Sequence, residues 1–139
     1  LMIIQGPLCP NWRNRIRGII PRIENGNIAG GNPATADRIA LWVKRHIHVK
    51  GKTDWIFVKT YTHGAQEGNY TRFFDQGGVL DSMYSYLEGS YNDGQNYVLH
   101  YVTAREMYNI IKAAEAGEAG DPNTYRDYLI PPYANRTRI

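Results

Sequence analysis

Three short apolar runs constrain this chain more than any other feature. They are Leu1-Met2-Ile3-Ile4, Trp55-Ile56-Phe57-Val58 and Tyr97-Val98-Leu99-His100-Tyr101-Val102. Each is continuous rather than alternating, which is the pattern of a strand buried on both faces. Between and after them lie stretches with helical spacing. Ile39, Trp42, Val43 and Ile47 form one stripe within 36–49, with Asn32-Pro33 as a helix start and Gly51 as terminator. Val79, Leu80, Met83, Tyr84 and Leu87 form a second stripe, broken near Gly89. Met107, Ile110, Ile111 and Ala114 form a third. That helix has a complete start signal in Thr103-Ala104-Arg105-Glu106, a capping box, and Gly117 or Gly120 to end it. Strand, helix, strand, helix, strand, helix predicts an α/β fold. Its centre is a small, mainly parallel three-stranded sheet, strands near 1–5, 55–61 and 97–102, in a half-barrel-like β-α-β-α-β-α order.

The 139 residues leave room for one α/β domain. Residues 7–34 read as a long loop with a short turn near 12–20, and 121–139 as an irregular tail. No apolar run is long enough to cross a bilayer and no secretion signal opens the chain, so no membrane partner is expected. Were Met2 a start, the short form would be natural; the alternative is a piece of a longer protein. A single cysteine, Cys9, excludes an internal disulfide and points to a reducing, cytoplasmic setting.

Charge is split unevenly. Residues 1–59 hold ten Lys/Arg and three acids (+7), whereas residues 60–139 hold six and ten (−4). A nucleic-acid partner is not expected, because no recognition motif accompanies the basic half. The two halves instead suit each other across a homodimer, which would also cover the open sheet edges. The opposing expectation is a monomer in which 7–34 and 121–139 fold back over those edges. All eleven tyrosines lie at or beyond Tyr61, and tyrosine serves sugar stacking and protein interfaces alike.

Ligands of parallel α/β sheets gather beyond the carboxyl ends of the strands, here Gln5-Gly6, Thr62-His63-Gly64 and Thr103-Arg105. His63 has the best position of the four histidines for acid–base work, although a strand-end histidine can equally bond a nearby carbonyl. Glu67 follows at four residues and could orient it, or could simply be solvated. Arg105 in the first turn of a helix opposes the helix dipole, which suggests an anionic contact or a plain surface arginine. Gln5, Tyr61 and Tyr101 complete a candidate substrate surface. His46 and His48 are two apart on a helix and cannot share a metal. No HxxxH, HExxH, paired-cysteine, phosphate-loop or GxSxG pattern occurs, so neither metal nor cofactor is expected.

Three stretches together resemble a known family. They are Gln5-Gly6-Pro7-Leu8 with Pro21-Arg22-Ile23-Glu24-Asn25-Gly26, then Trp55 to Gly64, then His100 to Gly117. They are similar to the C-terminal portion of bacterial polysaccharide-deacetylase-like (β/α) barrel proteins, over nearly the whole chain. In that family an Asp and two His from early strands hold a metal and a late strand supplies a catalytic histidine. Val58 to His63 is similar to that late strand, so the resemblance implies an acid role for His63. The aspartate base and the histidine pair have no counterpart here. The expectation is therefore a non-catalytic binding or assembly module with a possible carbohydrate ligand. The alternative is a deacetylase-like hydrolase using His63 as general acid/base, with Glu67, Arg105, Gln5, Tyr61 and Tyr101 around it.

Overall fold

The computed structural model describes residues 2–63 and 67–128, with the side chains of 67 and 68 left aside. Its strands are β1 (Cys9–Ile16) and β2 (Ile20–Glu24), and its helices are α1 (Ala36–Arg45), α2 (Glu67–Phe74), α3 (Val79–Tyr91) and α4 (Ala104–Glu115). A short 3-10 helix spans Pro122–Tyr125. The chain forms two compact units, one of residues 1–47 and 56–99, the other of 48–55 and 100–139. Among the described residues no helix is long and apolar enough to cross a membrane.

The expected three-stranded, mainly parallel sheet does not form. The only sheet among the described residues is the antiparallel pair β1–β2. None of the three apolar runs is a strand, and each lacks pairing for a visible reason. Ile3 in the first run is 89% exposed, and residues 2–4 belong to no strand among the described residues; Leu1 lies outside the described residues. The second run makes isolated contacts rather than a ladder: the Phe57 amide donates to the Ile47 carbonyl at 2.8 Å, and one parallel bridge joins Tyr61, just beyond it, to Asn27. In the third, the Tyr97 and Leu99 amides donate to the side chains of Asp93 and Asn92, and Gly94 donates to the Tyr97 carbonyl. A tight local turn thus consumes the groups that a sheet ladder needs.

The strands lie instead inside the stretch expected to be a loop. Pro10 and Pro21 argue against a central strand, but in a two-stranded hairpin every strand is an edge and proline is tolerated. The turn Ile16-Arg17-Gly18-Ile19 has positive φ at both central residues (52° and 73°), the requirement of a type I′ hairpin turn. Asn11 pairs with Arg22 and Arg15 with Pro21, so residues 12–14 bulge from β1. The Asn11 carboxamide holds that bulge by accepting from the Arg13 and Asn14 amides, both at 3.1 Å.

In the first unit α1, α2 and α3 close over Ile28, Ala34, Ile39, Trp42, Phe73 and Met83, with Val58, Val79, Leu80 and Leu87 against them. The stripe Ile39/Trp42 expected of α1 is its buried face, joined by Arg38. The helix begins after Thr35 rather than at Asn32-Pro33. It stops at Arg45, where His46 turns left-handed (φ 50°). α3 runs through the expected break at Gly89 to Tyr91, and α2 is a helix with no counterpart among the three expected stripes.

The second unit is built on α4, whose cap forms as its sequence indicates. The Thr103 hydroxyl accepts from the Glu106 amide, and the Glu106 carboxylate accepts from the Thr103 amide. Ile110, Ala113 and Ala114 are buried. Trp55 meets the Tyr125 ring at 5.7 Å and lies under the Lys52 ammonium at 4.6 Å. The Asn109 amide donates to the Arg126 carbonyl at 2.6 Å, tying α4 to the 3-10 turn. Residues 129–139 of the expected tail lie outside the described residues.

Candidate functional site

In the first unit, β2 ends at a buried carboxylate. Arg38 from α1 meets Glu24 through two hydrogen bonds, Nε to Oε2 and Nη2 to Oε1, both at 2.7 Å. Their side chains are 7% and 3% exposed. Arg38 spends its remaining donors on the carbonyls of Asn27, Asn32 and Pro33. Its guanidinium also lies 5.3 Å from the centre of the Trp42 ring. Glu24 Oε1 accepts further from the Gly26 and Asn25 amides. Burial alone pushes the Glu24 carboxyl up, but the hydrogen bonds from Arg38 and Gly26 and the guanidinium charge outweigh it. The result is a pKa of about 2. This saturated pair orders 24–33 against α1.

Over the pair opens a concavity of about 590 Å³, lined among others by Asn11, Asn14, Asn25, Asn27 and Asn32 together with Arg22. The hairpin supplies Asn11, Asn14 and Arg22, and the segment after β2 supplies the rest. Part of this amide surface is structural. Asn25 Oδ1 accepts from the Asn27 amide, and Asn32 Nδ2 donates to the Asn27 carbonyl. The Asn25 Nδ2, the side-chain Oδ1 of Asn32 and the Asn14 side chain carry no hydrogen bond among the described residues. Asn27 Oδ1 is enclosed and has no partner there either. Such carboxamides offer donors and acceptors fixed in one plane, the chemistry that reads hydroxyl groups. Arg22 is the one lining cation outside the buried pair.

Three segments converge beside Asn27 because two residues lack a Cβ. One at Gly6 would stand 2.7 Å from the Asn25 carbonyl oxygen and 3.2 Å from that of Lys59. One at Gly26 would stand 2.8 Å from the Lys59 oxygen and 2.9 Å from Pro7. The Tyr61 amide donates to the Gly26 carbonyl, and the Ile28 amide donates to the Tyr61 carbonyl. The Tyr61 ring receives the Lys59 ammonium at 4.6 Å and the edge of His63 at 5.4 Å.

The candidate residues from the sequence divide accordingly. His63 is exposed beside half-buried Tyr61, and Gln5 is exposed next to Gly6, so these three belong to the convergence in the first unit. Glu67 is the first residue of α2, and its side chain is outside the described residues. Arg105 and Tyr101 belong to the second unit, where both are exposed. The anion that Arg105 meets there is the chain's own Asp127, at 2.7 Å. Among the described residues no three His, Cys, Asp or Glu side chains gather.

Sequence reasoning passed over Glu24, Arg38 and the asparagines. One signal was present. Arg38 sits at the i, i+1, i+4 spacing of Ile39 and Trp42, and an arginine on the apolar stripe of a helix requires a buried anion. No family model matches this chain, and no curated protein and no solved structure matches it either.

Proposed function

We propose that this chain is a non-catalytic binding and assembly module, related to the C-terminal portion of bacterial polysaccharide-deacetylase-like proteins and acting in the cytoplasm as a homodimer. Its ligand is a carbohydrate. The observation that carries this reading is the amide-lined concavity over the Glu24–Arg38 pair. Its lining is polar and open to solvent, and about 590 Å³ leaves room for a sugar ring. Its floor pairs one anion with one cation, so it favours a polyhydroxyl ligand, neutral or with a single acidic group for Arg22.

Titration of an oligosaccharide panel, neutral, acetylated and uronate-bearing, tests it by calorimetry or amide chemical shifts. Saturable binding is expected, weakened about three- to tenfold by Asn14→Ala and again by Arg22→Ala, as for single hydrogen bonds. Absence of saturable binding to every saccharide refutes the carbohydrate reading. Release of acetate from an acetylated oligosaccharide, abolished by His63→Ala, would replace it with the hydrolase alternative.

A further inference from the structure

The hairpin that walls the concavity presents an unusual outer surface. Trp12, Ile19 and Ile20 are exposed and do not line the concavity, Ile19 at 76%, whereas Ile16 and Ile23, also exposed, belong to its lining. Residues 9–23 also carry Arg13, Arg15, Arg17 and Arg22 and no acid. Arg13 is paired with Asp37. Arg15 donates to the Trp12 carbonyl at 2.7 Å and lies near the Trp12 ring. Arg15, Arg17 and Arg22 meet no carboxylate among the described residues. A cluster of large apolar side chains in water, framed by cations, marks a docking surface for an apolar and anionic partner.

The same unit carries the complement. Residues 73–99, from the end of α2 through α3 and the turn beyond, contain Asp75, Asp81, Glu88 and Asp93 and no Lys or Arg. Phe74, Tyr84, Tyr97 and Val98 are exposed in that stretch. Arg15 and Arg17 beside Trp12, Ile19 and Ile20 match, in kind, carboxylates amid aromatics. Hairpin-on-hairpin contact would instead set cation against cation, which costs affinity.

We propose that the β1–β2 hairpin of one chain docks on the acidic, aromatic α2–α3 surface of a second copy, and that the contact is made twice about a two-fold axis. This rests on the assembly reading above and assigns its surfaces. Closure by a two-fold axis uses both hairpins and both acidic faces, so no adhesive surface is left to propagate a fibre.

Charge exchange tests it. One variant carries Arg15→Glu and Arg17→Glu, the other Asp75→Lys and Glu88→Lys, all at exposed positions. Sedimentation at micromolar concentration should give the wild type twice the 15.9 kDa of one chain. Each variant alone should self-associate at least about tenfold more weakly, since like charges then oppose. Mixed, the two variants should pair, because glutamates of one hairpin meet lysines of the other face while the second contact keeps its native charges. Circular dichroism verifies folding, and Ile19→Ser in the exposed turn serves as a second weakening variant.

Dimers that persist at wild-type affinity in both charge variants overturn the surface assignment while leaving self-association intact. Failure of the mixed variants to pair also overturns it, as does an open ladder of higher masses. A wild-type monomer throughout the micromolar range removes both the assignment and the homodimer beneath it. Binding of a wild-type monomer to phosphatidylglycerol vesicles, lost with Arg15→Glu/Arg17→Glu, would give the hairpin to an anionic lipid surface instead.

Discussion

Replacing Glu24 by glutamine tests the pair on which the concavity rests. The carboxylate accepts two 2.7 Å hydrogen bonds from Arg38 and two more from the Asn25 and Gly26 amides. Glutamine keeps one acceptor and turns an amino group toward a guanidinium donor, leaving a cation 7% exposed without its counter-charge. Removing one partner of a buried pair costs about 3–5 kcal/mol. The pH dependence gives a second measure. A carboxyl lowered from 4.5 to about 2 represents about 3 kcal/mol of folding free energy. Because the folded pKa is depressed, the unfolded chain takes up this proton first as pH falls. The stabilisation is therefore complete above about pH 5 and is lost as pH falls toward about 2. Urea unfolding of both proteins across this window should show a gap of about 3 kcal/mol or more at neutral pH, narrowing by about 3 kcal/mol near pH 2. The difference between the two curves isolates Glu24 from the other carboxylates. Glu24→Leu with Arg38→Met should recover only part of the loss, since it removes the lone charge but leaves the Asn25 and Gly26 amides and the carbonyls of Asn27, Asn32 and Pro33 without these partners. A neutral-pH gap below about 1 kcal/mol, or one that does not narrow in acid, refutes the reasoning.

Two further substitutions test the supports of each unit. Gly26→Ala places a methyl 2.8 Å from the Lys59 oxygen at a φ of +78°, where an L side chain is itself strained. It should cost about 2–4 kcal/mol in urea unfolding, and the Tyr61 amide should exchange with solvent faster. A Tyr61 exchange rate equal to wild type would contradict the proposed convergence. Thr103→Ala removes one half of the capping box of α4 and should lower stability by about 1 kcal/mol. Unchanged stability in that variant would mean that the second unit does not depend on this helix start.

The helices were largely legible in the sequence because their signals are local. The Thr103–Glu106 box closes within four residues, and the stripes at Ile39/Trp42 and at Val79, Leu80, Met83 and Leu87 need only the helical period to turn to the core, although Tyr84 of the second stripe stays exposed. The charge division between the halves, and the lone Cys9, are likewise properties of the chain itself. Strand formation is different, since a strand exists only when a remote segment presents the matching backbone groups. The runs at Trp55–Val58 and Tyr97–Val102 have strand-like composition, but Asp93 and Asn92 capture amides of the second, and the first meets only scattered backbone groups, at Ile47 through Phe57 and at Asn27 through Tyr61. The hairpin at Cys9–Glu24 was hidden by Pro10 and Pro21, whose cost vanishes in a two-stranded pairing. The candidate site falls in the same class. Gly6 and Gly26 permit three backbones to meet, and Glu24 and Arg38, fourteen residues apart, neutralise each other only once β2 ends against α1. Periodicity could place Arg38 on a buried face, but which carboxylate receives it was decided by tertiary packing, because pairing across space leaves no fixed spacing in the chain.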